Sequence, residues 1–171
     1  LLETESKIKA QSPSIKTRII VKDLGDNPTP DSIDLIEKQT KDIDISILIN
    51  NAGVMYNEYF INLDPKDIEG MINVNCVAPT LLLNVYLKRL VERSKQKGLW
   101  SAVINIDSIA GSGPAPFTAA YSGTKGFLWF LSLAVSHEVR KHVDVMSVSP
   151  GPVNTAMSGF LKNESKFDPS T

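Results

Sequence analysis

The segment YSGTKGFLWF, residues 121–130, places Tyr121 and Lys125 four apart at the start of an apolar, helical pattern. On a helix, residues i and i+4 share a face, so the Lys125 ammonium can lie near the Tyr121 phenol. A free phenol ionises near pH ~10, and a nearby positive charge favours the phenolate. Such a pair can donate and accept a proton near neutral pH, which general acid–base catalysis requires. Alone the spacing says little: with 4 Tyr in the chain, it arises by accident in roughly one such sequence in three. Ser108, just past a β-branched run, could hydrogen-bond a substrate carbonyl oxygen, or be an ordinary loop serine. Asn75, on a helical stretch, could anchor through its amide a water linking Lys125 to solvent, or make a local hydrogen bond. As a set with Tyr121 and Lys125, the four rarely occur together by chance.

Positioning such a set needs a scaffold, and the chain alternates the right signals for one. Four short runs rich in Ile and Val, TRIIVK (17–22), ISILIN (45–50), SAVINI (101–106) and VDVMSV (143–148), read as strands buried in a parallel sheet. Between the first two lies the helical pattern PDSIDLIEKQTKD, with Pro30 in its first turn and Asp31 or Ser32 available to cap it. A long helix from about Asp64 or Glu69 to Gln96, closed by Gly98, separates the second and third runs. Its apolar positions include Ile72, Val74, Cys76, Leu81, Leu82, Val85, Leu87 and Leu90. The helix of Tyr121 and Lys125 separates the third and fourth. This alternation specifies an α/β fold with a doubly wound parallel sheet. In such sheets ligands bind beyond the carboxyl ends of the strands. There the sequence places Asp23-Leu24, Asn50-Asn51-Ala52-Gly53, Asp107-Ser108 and Pro150-Gly151-Pro152-Val153-Asn154-Thr155, small and polar groups suited to line one crevice.

The 171 residues make one domain's worth of chain, 42% hydrophobic and 22% charged. A formal net charge of -1 gives no reason to expect a nucleic-acid partner. The single Cys76 excludes an internal disulfide and fits a reducing compartment. No uninterrupted apolar run approaches the ~20 residues of a membrane span, so no membrane segment is expected. His137 and His142 flank Arg140 and Lys141 at a helix end, without the Cys or carboxylate companions of a metal site, and no metal is expected.

At this point the chain resembles the short-chain dehydrogenases/reductases over almost its whole length. The residues that carry the resemblance are Asn51-Ala52-Gly53 in INNAGV, Asn75 in INVNCVAPT, Ser108 in VINIDSIAG, Tyr121 and Lys125 in YSGTK, and PGPVNT at 150–155. The resemblance implies a Rossmann-like sheet, a nicotinamide cofactor and a small-molecule carbonyl or secondary alcohol as substrate. It makes Tyr121 the acid/base, with Lys125 lowering its pKa and binding the nicotinamide ribose, Ser108 orienting the carbonyl and Asn75 completing a proton relay. Asp23, with Leu24, matches the segment that contacts the adenine amino group, and Asn51, Ala52 and Gly53 line the cofactor. Pro150, Gly151, Val153 and Thr155 match the segment that closes over the nicotinamide amide. A homodimer through the long helix and the Tyr/Lys helix is also implied. Within the family, INVNCVAPTLLL, LKRLVERSKQKG and the Pro114-x-Pro116 pair are most similar to very-long-chain 3-oxoacyl-CoA reductases and related 17β-hydroxysteroid dehydrogenases. That branch implies a lipid-like substrate, NADP(H) in preference to NAD(H), and a cytoplasmic or endoplasmic-reticulum location with any anchor outside this chain.

One part of the family pattern is absent. The glycines fall at 25, 53, 70, 98, 111, 113, 123, 126, 151 and 159, and none forms a phosphate loop between a first strand and a first helix. Gly111-Ser112-Gly113 follows a strand, but Pro114 and Pro116 oppose a helix opening there, so no helix N-terminus awaits a pyrophosphate. The opening LLETESKIKA reads as the tail of the family's second helix. The expectation is thus an incomplete sheet and a single partial domain, 1–171, lacking the first two strands and the last. In the family's order those two strands separate the run at 17–22 from the run at 45–50, which leaves the former without a neighbour. A catalytically inactive truncated fragment, acting at most as an interaction module, is the alternative function. Either way, this 171-residue chain is expected to bind a dinucleotide weakly. A calorimetric titration returning micromolar or tighter NADPH affinity would contradict that expectation.

Overall fold

A computed structural model of the chain describes residues 1–153. It contains helices α1 (Leu2–Gln11), α2 (Pro30–Gln39), α3 (Pro65–Ile72), α4 (Ala78–Lys97) and α5 (Ala119–Val139). Strands β1 (Ile47–Asn50), β2 (Ser101–Ile106) and β3 (Val143–Val148) form a parallel sheet in the order β1-β2-β3. Register pairs Ile47 with Ala102 and Ser101 with Val143, so all three carboxyl ends emerge on one side. Long helical crossovers connect them, as parallel pairing demands.

The core lies between one face of this sheet and α4 and α5. Leu83, Leu90, Val103 and Val143 are buried together, with Leu48, Leu87, Leu131, Val135 and Val145 packed around them. Helix α2 joins the layer through buried Ile33 and a Thr40 Oγ1–Tyr86 Oη hydrogen bond of 2.7 Å. Its start differs from the expected cap. Thr29 is the N-cap, and Ser32 completes a capping box by accepting the Thr29 N–H at 3.0 Å, while Asp31 stays outside. Proline at the first helical position is the reason: it fixes the entry at Thr29, ahead of an Asp31 or Ser32 cap.

Two expectations about the sheet are corrected. TRIIVK has strand composition but forms no ladder, and Val21 and Lys22 are exposed. β-propensity is realised only against a paired, half-buried surface, and no strand among the described residues offers this segment one. The strands are also not buried on both faces. Ile47, Ile49 and Met146 are each more than half exposed on the face away from α4 and α5.

The long helix is interrupted where the chemistry requires it. Asn73–Val77 widens into a π turn between α3 and α4. Pro79 supplies the cause: lacking an N–H, it cannot make the i→i−4 bond to the carbonyl of Asn75, and its ring crowds that turn. The widened turn buries Met71, Asn75 and Ala78 and leaves Ile72 exposed. Gly98 closes α4 in the left-handed conformation. Taken as one helical stretch, Pro65–Lys97 is long and apolar enough to cross a membrane by length and composition. Core helices pass the same test, and here Leu83, Tyr86 and Leu90 pack against protein.

Leu90 is fully buried at the centre of the core. Leu90→Ala is expected to cost about 2–5 kcal/mol, read as a lower urea midpoint with an unchanged m-value.

Candidate active site

Each strand ends in a segment that faces the same cavity of about 970 Å³. Asn51, Ala52 and Gly53 come from β1, Asp107 and Ser108 from β2, and Pro150, Gly151 and Val153 from β3. Helix α5 presents Tyr121 and Lys125 to it, and Met55, Ile109, Pro114 and Ala115 make much of the remaining wall apolar. Ser108 turns the chain from β2 into a short 3₁₀ turn, Ile109–Ser112, by accepting the Ala110 N–H at 3.2 Å.

Tyr121 and Lys125 are both buried residues of the first turns of α5. The Lys125 Nζ donates to the Ile106 carbonyl at 2.8 Å and lies 5.6 Å from the centre of the Tyr121 ring. Two glycines make this seat. A Cβ on Gly111 would fall 2.7 Å from the Gly126 nitrogen and 2.8 Å from the Lys125 carbonyl carbon, so only glycine lets the 3₁₀ turn lie on α5. A Cβ on Gly53 would fall 3.3 Å from the Lys125 Nζ. Ser122 ties the same turn down by donating to the carbonyls of Ala110 and Gly113.

Asn75 is buried in the π turn and does not line the cavity. Its Oδ1 accepts the Val54 N–H at 2.9 Å, and its Nδ2 donates to the Val54 carbonyl at 2.9 Å and to Thr124 Oγ1 at 3.0 Å. Both amide protons are therefore taken by protein, which corrects the expectation that they anchor a water. The side chain instead clamps the loop after β1 to α5. Asp23 and Leu24 are also placed apart from the expected crevice: neither lines the cavity, and Asp23 Oδ1 accepts the Gly25 N–H at 2.8 Å in a local turn. Asn73 Nδ2 donates to the Gly25 carbonyl at 3.0 Å and holds that turn beside the π turn. Thr155 lies outside the described residues.

The electrostatics depart from the expected lowering of the Tyr121 pKa by Lys125. Burial is the largest influence and pushes the phenol up; the Ser108 hydroxyl pulls it down and the Asp107 carboxylate pushes it up again. Burial pushes the Lys125 ammonium down, with Asp107 and then Cys76 opposing. Burial also raises the Cys76 thiol to about 11, against a smaller lowering by Lys125.

Ser108, Tyr121, Lys125 and the Asn51–Gly53 loop line one cavity, as the sequence implies. The sequence profile of the family described as short chain dehydrogenase matches residues 1–166. The chain belongs to that family. Among curated short-chain dehydrogenase relatives, the very-long-chain 3-oxoacyl-CoA reductase of Anas platyrhynchos is 34% identical over 86% of this chain and 47% of its own length. The inactive hydroxysteroid dehydrogenase-like protein 1 of Homo sapiens is 35% identical over 99% of this chain and 51% of its own. The chain thus spans about half the length of the curated relatives it matches. Among solved structures, a short-chain dehydrogenase from Sphingobium yanoikuyae in complex with NADPH is similar at TM-score 0.78 and 27% identity, over 95% of this chain and 60% of that one. A 4-hydroxyisoleucine dehydrogenase complexed with NADH is similar at TM-score 0.70 and 28% identity, over 86% of this chain and 64% of that one.

Ser122 and Thr124 belong to the same cluster but carry no signal of their own in the sequence; only their proximity to Tyr121 and Lys125 could have raised them, whereas Asp107 was legible as a strand-end group lining the crevice. Cys76 gives a check on the burial of this cluster. Its folded-state pKa is about 11, raised from 9.0, so between these values the folded chain keeps a proton that the unfolded chain releases. Its contribution to stability is present below about pH 9 and lost toward about pH 11. Cys76→Ala is expected to flatten the alkaline fall in the urea midpoint relative to wild type, the titrations of Lys125 and Tyr121 being common to both; identical slopes would contradict the burial.

Proposed function

We propose that the protein containing this chain is a nicotinamide-dependent oxidoreductase that interconverts a carbonyl and a secondary alcohol. The observation that carries the reading is the convergence of Ser108, Tyr121 and Lys125 on one cavity at the carboxyl ends of a parallel sheet. The donor set fits the nicotinamide half of the cofactor: Lys125 and Tyr121 would hold the ribose, and Asn51–Gly53 with Pro150, Gly151 and Val153 would form the walls around it. A Gly53 whose added Cβ would crowd the Lys125 ammonium suits that close approach. The sequence holds no glycine-rich loop for the pyrophosphate half. When bound, the nicotinamide supplies or accepts the hydride at the carbonyl carbon.

The chain's own groups handle the oxygen. Ser108 donates a hydrogen bond to it and fixes its direction, and Tyr121 gives it the proton in reduction. A phenol raised by burial and by Asp107 holds that proton at neutral pH, the form that proton donation to the oxygen requires. Lys125 places a positive charge beneath the phenol as it loses the proton. Asn75 acts as a positioning residue through its bonds to Val54 and Thr124.

The largely apolar wall and the similarity to very-long-chain 3-oxoacyl-CoA reductases support a lipid-like substrate, and the similar short-chain dehydrogenase in complex with NADPH supports NADP(H) as the cofactor to test first. The same branch is the ground for a cytoplasmic or endoplasmic-reticulum location. Exposed Phe127, Phe130 and Leu133 on α5 support a homodimer through that helix.

A second reading has its own support: relatives called inactive are as similar to this chain as those called reductases. One experiment separates the two. In the protein that contains this chain, Tyr121→Phe is expected to lower kcat by about 10²–10⁴-fold while NADPH binding changes little. A wild-type protein that binds NADPH and turns over no 3-oxoacyl or steroid ketone would favour the inactive reading. Full activity in Tyr121→Phe would remove the proposed acid.

A further inference from the structure

Asp107 lines the cavity beside Ser108, yet the reaction just proposed gives it no proton or bond to handle. It is 4% exposed, and its place is set from β3: the backbone N–H donates to the Val148 carbonyl at 3.0 Å, and Oδ2 accepts from Ser147 Oγ at 2.9 Å. Among the described residues its Oδ1 is buried without a hydrogen-bond partner. A buried carboxylate oxygen left bare is costly unless an opposite charge offsets it.

The opposite charge comes from α5 and is held at the neighbouring residue of the same strand end. Lys125 is 3% exposed, and its Nζ donates to the carbonyl of Ile106 at 2.8 Å, the residue before Asp107. That carbonyl is neutral, so the bond orients the ammonium without balancing its charge. Among the described residues, the titratable groups that face the ammonium are Asp107 from the end of β2, Cys76 from the π turn and Tyr121 from α5. Asp107 is the carboxylate of that set, and the other residues lining the cavity include none.

We propose that Asp107 is a positioning residue of the reaction centre, its buried carboxylate being the counter-charge that keeps the Lys125 ammonium seated and charged beneath Tyr121. It acts across space, since neither carboxylate oxygen bonds the ammonium. Burial works against the charged lysine, and Asp107 is the largest influence opposing burial, ahead of Cys76. The same charge helps the Tyr121 phenol keep its proton. One carboxylate thereby biases both partners toward the form that donates a proton to a carbonyl oxygen. The catalytic consequence rests on the oxidoreductase reading; the coupling itself is a property of this chain.

The test is a side-chain NMR titration of the chain carrying isotope-labelled lysine, with the Lys125 signal identified by its loss in Lys125→Met. In Asp107→Asn, and in parallel Asp107→Ser, the Lys125 midpoint is expected to fall by about one pH unit. Ser147→Ala removes the bond to Oδ2 and keeps the charge, and its Lys125 midpoint is expected to stay with wild type. An unmoved midpoint in either folded Asp107 variant overturns the proposal. So does an equal fall in Ser147→Ala, which would mark a structural role at the strand ends. If neither Asp107 variant folds, Asp107→Glu, which keeps the charge, is expected to leave the Lys125 midpoint with wild type, and a fall of about one pH unit there overturns the proposal. An inactive protein with the expected midpoints would remove the oxidoreductase reading alone.

Discussion

The side-chain amide of Asn75 joins stretches of chain that are far apart in sequence: the loop after β1, through both backbone groups of Val54, and α5, through Thr124. Thr124 Oγ1 passes the link on by donating to the Tyr121 carbonyl at 2.7 Å. The reacting tyrosine, the lysine one residue beyond Thr124 and the loop that walls the cavity are held by one buried polar side chain. Buried hydrogen bonds of this kind are modest when made and expensive when broken on one side only. That asymmetry is why the π turn, an otherwise poor helix geometry, is tolerated at this point. It delivers Asn75 to the junction while the rest of the helix keeps packing on the core.

How much of this was readable beforehand divides by the kind of force involved. Elements set by local pattern were readable: the three parallel strands, the helices between them, Gly98 as a helix stop, and the meeting of Ser108, Tyr121 and Lys125. What required tertiary partners was not. TRIIVK is the intermediate case: it has the residues of a strand, the family's order already implied a missing neighbour, and among the described residues it forms no ladder. Asn75 had the right type to hold a water, but two neighbours took its protons. The π turn had a visible cue in Pro79, which removes a backbone donor within an apolar helical run, and the helical periodicity around it masked that cue.

The expected influence of Lys125 on Tyr121 shows a further limit. An ammonium on the same helix face suggests a lowered phenol pKa, and that reasoning treats the pair as if in water. In the folded chain both groups are buried, desolvation opposes the charged form of each, and the phenol is raised. Sequence spacing specifies which groups meet; the dielectric around them and the third charge, Asp107, decide what they do. Gly111 makes the same point sterically. Its position in a G-x-G pattern invites a phosphate-loop reading, whereas its use is to let one backbone lie against another at Lys125 and Gly126.

The sheet order has a consequence for how the centre fluctuates. Strand β2 is paired on both sides, with β1 and β3, and Ser108 follows directly from it. An opening that displaces Ser108 must separate two ladders, while the segment at 17–22 and the Asp23 turn beyond it have no ladder to separate. Local unfolding free energies follow such differences. The groups proposed to touch the reacting carbonyl therefore hang from a strand that opens only when two ladders part, so a ligand entering the cavity meets its Ser108 wall already held in place.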